Sequence, residues 1–203
     1  MRTSLIILLF FVAGLLAGLF GVFPESLNGK DLSTWALYLL MFLVGISIGI
    51  DHRALDALKS HGFKLFLVPL TTIIGTFAGV AATHLATTNL LFGESLAVGA
   101  GFGYYSLSSI IIGELHSEAL GVTALLANVM REIITLLMAP FFMVWFGNLA
   151  PITAGGATSM DTTLPIITRA SGNDFAIVSL FHGMMLTILV PFLVTLIISL
   201  LSP

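Results

Sequence analysis

The chain has 203 residues, of which 58% are hydrophobic and 8% charged, with a net charge of −3 and a mean hydropathy of +1.11. That composition excludes a soluble globular domain, and with 7 Lys and Arg in all the chain offers no nucleic-acid-binding surface. Cysteine is absent, which excludes disulfides and thiolate chemistry, and the 5 His show no metal-ligand spacing, so no metal and no cofactor are expected.

Apolar runs of about 20 residues, lacking the strict alternation of barrel strands, predict an all-α integral membrane protein built as a helical bundle. Residues 1–23 place Arg2 before an apolar stretch, as a signal peptide does, but more membrane segment follows and not a polar domain, so they read as a first crossing. Clear crossings are expected at 3–23, 33–50, 63–86, 120–146 and 175–201. The loop 51–64 holds Arg53, Lys59 and Lys64 and is therefore placed in the cytoplasm. Trp35 and Trp145 suit interfacial anchors. Two further segments, 95–114 and 151–171, are apolar but interrupted by Gly, Ser and Thr and, in the second, by Pro165. They read as discontinuous or re-entrant helices. If 95–114 returns to the side it entered from, the acidic loop 114–120 is external, as is the C-terminus.

The two interrupted segments resemble each other. AGFGYYSLSSIII, from Ala100, and AGGATSMDTTLPI, from Ala154, share a small Gly-rich opening, a Ser/Thr-rich middle and an aliphatic run. Each precedes a long apolar helix with one late proline, Pro140 or Pro191, and the register sets Ser106 opposite Ser159 and Ser108 opposite Asp161. A hairpin plus one helix has an odd number of crossings, so the copies, at about 95–146 and 151–201, would be inverted within one transmembrane transporter domain covering 1–203.

Broken membrane helices expose helix ends and carbonyls that suit a carboxylate on one side and a cation or ammonium on the other. Candidate substrate contacts are Ser106 and Ser108 in the first copy, Ser159, Asp161 and Thr162 in the second, and Asn128 and Glu132 in the helix between them. In the helix between them Asn128, Glu132 and Thr135 share a face, with Arg131 turned about 100° away. An intramembrane acid is a functional candidate because it costs roughly 2.5–3.5 kcal/mol at a helix centre. Pairing of Arg131 with Asp161 would leave Glu132 to bind a cation. Alternatively, Arg131 and Glu132 belong to a buried structural network. His182, one turn after Ser179, is a candidate proton relay. Glu132, Asp161, His116 and His182 fit no metalloprotease motif, which argues against an enzyme.

GFGYYSLSS, NVMREI, GGATSMDTTLPI and FHGMMLTILVPFL, in this order and spacing, resemble the C-terminal, larger part of the lysine exporter (LysO) family. The resemblance implies a multi-pass exporter of L-lysine, and of lysine analogues, in the bacterial inner membrane, driven by a proton or sodium gradient. It places the family's intramembrane acid on Glu132 and its Ser-Met-Asp element on Ser159 to Asp161. It also implies a further N-terminal set of helices in single-chain members, so that this chain would be the large half of a split exporter with a separately encoded small membrane subunit. Homo-oligomers are compatible with it. A passive channel and a non-catalytic structural subunit are the competing readings.

Overall fold

The computed structural model describes residues 62–86 and 90–201, with scattered positions before residue 47. The chain divides into two compact units, Met1–Met41 and Phe42–Pro203. In the first, Trp35 meets Tyr38 edge-on at 5.9 Å. The crossings expected at 3–23 and 33–50, and the basic loop 51–64, lie almost wholly outside the described residues.

The described part of the second unit is built of helices joined by short breaks and turns, with no strand among the described residues. A 3-10 turn at Phe63–Phe66 leads into α1, Leu67–Ala86. The hydroxyls of Thr71, Thr72 and Thr83 return to carbonyls three or four residues back, so these polar side chains sit in an apolar helix without an unmet donor. The helices α2, Phe92–Gly99, and α3, Tyr105–Leu115, follow with a break between them. Next comes α4, Glu118–Phe146, capped by Ser117 Oγ, which accepts from the Leu120 N–H at 3.3 Å, with Glu118 in the first turn opposite the helix dipole. The short α5, Ala150–Gly155, passes into a 3-10 stretch, Gly156–Met160, before α6, Leu164–Ser171. A 3-10 turn at Asn173–Phe175 starts α7, Ala176–Leu201.

Three of these stretches, Lys64–Ala86, Glu118–Phe146 and Asn173–Leu201, are long and apolar enough to cross a membrane. They coincide with the last three crossings read from the sequence, and the protein is an all-α membrane protein. By contrast, α2 and α6 have 8 residues each and α5 has 6. At 1.5 Å per residue none comes near the roughly 30 Å of hydrocarbon. The breaks fall within the two interrupted segments.

In each interrupted segment residues from the two sides of the break come together. Glu94, near the start of α2, lies 3.0 Å from His116, just beyond the end of α3. In the second segment Ile152 of α5 and Ile167 of α6, both fully buried, join one cluster with Leu65, Val68, Val178 and Phe181. Burial of such side chains stabilises the arrangement by about 1.5–3 kcal/mol each in water-accessible settings. In lipid the same contacts act through close packing, since the lipid tails are equally apolar.

Candidate functional site

The two breaks meet backbone to backbone. The Ala157 N–H, in the 3-10 stretch of the second segment, donates to the Phe102 carbonyl in the break of the first at 2.8 Å. Phe102 is fully buried and has φ +44°, a left-handed conformation that costs a non-glycine residue on the order of 1–3 kcal/mol. Gly156 faces it at φ +65°, and a Cβ there would strike the Phe102 carbonyl. Only glycine allows this approach. The α7 helix closes over the second break in the same way, since a Cβ on Gly183 would lie 2.7 Å from both the Ala157 carbonyl and the Met160 nitrogen.

Two side chains of α4 satisfy the groups that the breaks set free. Asn128 accepts from the Gly103 N–H at 2.7 Å through Oδ1 and donates to the Val98 carbonyl, near the end of α2, at 3.2 Å. Arg131, one turn on, donates from Nε to the Ala154 carbonyl and from Nη2 to the Thr153 carbonyl, each at 2.8 Å, and from Nη1 to Thr76 Oγ1 at 3.2 Å. The last carbonyls of a helix lack intrahelical donors and carry partial negative charge, so the guanidinium is well matched to the end of α5. Among the described residues Arg131 forms no ion pair. Asp161, an exposed residue, instead accepts from the backbone N–H and the hydroxyl of Thr162. The pairing of Arg131 with Asp161 considered from the sequence is not the one observed, because the end of α5 already offers the guanidinium two aligned carbonyls.

Glu132 is 8% exposed on the same face of α4 as Asn128 and Thr135, and among the described residues its carboxylate has no hydrogen-bond or ion-pair partner.

A cavity of about 180 Å³ opens where the breaks meet, lined by residues of both, including Tyr104, Ser106, Thr158, Asp161 and Thr162, with Thr187 of α7. Ser106, Asp161 and Thr162 thus come together. Ser108 does not join them: it is buried and donates to the Tyr104 carbonyl at 2.9 Å. Ser159 also faces away. Its hydroxyl lies 3.0 Å from the Ser179 carbonyl and 2.9 Å from His182 Nδ1, while the Ser179 hydroxyl donates to the Ser159 carbonyl at 2.7 Å. His182, fully buried, contacts Thr72 Oγ1 through Nε2 at 2.9 Å. Thr72 and Thr76 escaped the sequence reading, where α1 was a plain crossing. Their one-turn spacing on an apolar helix was the available signal.

Comparison with known proteins agrees with the motifs. The model of the family described as lysine exporter LysO matches residues 8–198. The chain is 29% identical over 167 residues to "Lysine exporter LysO" of Escherichia coli (strain K12), covering 82% of this chain and 55% of that protein. It is 30% identical over 166 residues to "Putative lysine exporter" of Haemophilus influenzae (strain ATCC 51907 / DSM 11121 / KW20 / Rd), covering 82% of this chain and 83% of that protein. The chain therefore spans about half the length of the Escherichia coli relative. No solved structure matches it. With the family model covering nearly the whole sequence, including both interrupted segments and the Arg131–Glu132 helix, the chain belongs to the lysine exporter LysO family.

Proposed function

We propose that the chain is a secondary transporter that exports L-lysine across the bacterial inner membrane, driven by a proton or sodium gradient. The observation that carries this reading is the meeting of two broken helices around a small polar cavity, in a chain whose relatives are named for lysine export. At about 180 Å³ the cavity is below the roughly 300–1,000 Å³ of drug-sized sites and suits a single amino acid. The segments then act as re-entrant hairpins of an inverted repeat, whose freed backbone groups are tolerated in a membrane because they line a cavity. The first-turn N–H groups of α3 and the Ser106 hydroxyl take the substrate carboxylate. Asp161, oriented by Thr162, takes an ammonium group. Glu132 supplies the second negative charge, toward the lysine side chain or the coupling cation, and a small membrane subunit completes the transporter.

Reconstituted protein tests this by counterflow of labelled lysine. Glu132→Gln keeps the volume of the side chain and removes its charge, and it is expected to abolish counterflow while the protein still inserts and purifies normally. Loss of the protein itself from the membrane would make Glu132 structural and leave Asp161 as the substrate acid. Lysine movement that shows no counterflow in the wild type would identify a channel.

A further inference from the structure

The hydrogen-bond inventory around His182 has one hydrogen to spare for exchange. Both ring nitrogens face hydroxyls, Thr72 at Nε2 and Ser159 at Nδ1, each at 2.9 Å, and the Gly156 backbone also lies within hydrogen-bonding reach of the ring. Each hydroxyl has a single hydrogen and a carbonyl alternative: Thr72 lies 3.0 Å from the Val68 carbonyl and Ser159 3.0 Å from the Ser179 carbonyl. A neutral ring donates through one nitrogen and accepts through the other, whereas a protonated ring donates through both. With the ring neutral, Nδ1–H donates to Ser159, Ser159 donates to the Ser179 carbonyl and Thr72 donates to Nε2. The Val68 carbonyl is not orphaned, because the Thr71 hydroxyl donates to it at 2.9 Å. With the ring protonated, Nε2–H donates to Thr72 and Thr72 turns back to the Val68 carbonyl. Every polar atom is satisfied in both states, and only the Thr72 hydroxyl rotates between them.

Thr72 is also the point of access. Although only 4% exposed, it forms part of the wall of a cavity of about 390 Å³ between α1, α4 and α5, which Thr76, Arg131 and Thr153 also line. We propose that His182 is the proton-exchange site of the transport cycle, loaded and unloaded from this cavity through the Thr72 hydroxyl. The inference rests on the coupled-transport reading above and names its coupling ion. In loading, a cavity proton passes to Thr72 Oγ1 as the proton of that hydroxyl moves to Nε2, and unloading is the reverse. The charged side chain whose field reaches the ring is Arg131, on α4. Ser159 ties the exchange to substrate movement. It lies in the 3-10 break between Thr158 and Met160, both in the wall of the smaller cavity, and its bond from Nδ1–H becomes charge-assisted when the ring is loaded.

Proteoliposomes containing the full chain separate exchange from coupling. Counterflow of labelled lysine at equal pH needs no net proton movement, whereas accumulation driven by an imposed pH gradient does. Thr72→Val is expected to keep counterflow and to lose gradient-driven accumulation roughly tenfold or more, the scale of a lost proton-transfer group, with Thr72→Ser restoring it. Thr72→Cys, in a chain with no native Cys, is expected to stay coupled until a thiol reagent modifies it, which covers the case of a poorly folding valine variant. Equal loss of counterflow and accumulation in Thr72→Val, or a thiol-modified Thr72→Cys that remains coupled, would overturn the assignment. Wild-type accumulation that follows a sodium gradient and ignores pH would overturn it too, with lysine transport intact. Absence of wild-type counterflow would remove the transport reading itself, and this inference with it.

Discussion

Arg131 shows what a sequence does and does not reveal about a buried charge. Its position within an apolar helix marked it as costly and therefore held by something, and the spacing separated it from the Asn128/Glu132 face. Its partners were not legible, because they are main-chain carbonyls that become acceptors only where Ala150–Gly155 ends. The observed fork makes a definite expectation. Arg131→Gln removes two charge-assisted bonds to the end of α5 and one to Thr76, and charge-assisted bonds contribute about 1.5–3 kcal/mol each, so a loss of at least about 3 kcal/mol is expected. Arg131→Lys should recover little of it, since an ammonium is a point donor that cannot span both carbonyls. Thermal unfolding of the purified protein in detergent measures both. A Lys variant as stable as the wild type would show that charge alone, without the fork, holds the helix end.

At the scale of elements, the positions of the breaks were readable from Gly, Ser, Thr and Pro, but the contacts holding each folded segment together were not. Glu94 of α2 and His116 after α3 are 22 residues apart, and neither stands out in its own neighbourhood. Together they join the two ends of the first segment, and Glu94 also accepts from the Leu91 N–H at 2.7 Å. The His116 hydrogen bond, then the Leu91 N–H, hold the Glu94 carboxyl below the usual carboxylate range. A carboxyl with a lowered folded value stabilises the fold fully above its unfolded pKa of about 4.3 and loses that contribution as pH falls through the lower folded value. Amide hydrogen exchange at Leu91 and around Ser117, corrected for intrinsic rates, should therefore quicken as pH falls below about 4 in the wild type. Glu94→Gln should show quicker exchange already at neutral pH and no such step. A step of the same size in the Gln variant would assign the effect to another acid.

At the scale of the whole molecule, the same plan occurs twice: two short helices around a break, then one long helix with a late proline, α2–α3–α4 and α5–α6–α7. Periodicity of composition made this legible, and similarity of Ala100–Ile112 to Ala154–Ile166 aligned the breaks that touch through Phe102 and Ala157. The register went further than the contacts do, since Ser106 and Asp161 share a cavity while Ser108 and Ser159 turn to separate interior networks. A sequence repeat fixes where polar residues recur, but side-chain direction depends on how α7 and α1 close over each copy, and those helices are not part of the match. Topology is the property the repeat speaks to most directly. If each copy is a re-entrant hairpin plus one crossing, α4 carries the chain from one side to the other, and the mouths of the two hairpins open to opposite faces. His116 marks the first mouth and Asn173 the second, and the chain has no Cys to interfere. In intact cells, His116→Cys should react with a membrane-impermeant thiol reagent from outside, while Asn173→Cys should react only after the inner face is exposed. Both residues reacting from the same side would mean that the second segment crosses fully, and reaction of His116→Cys only from the inner face would mean that the first one does.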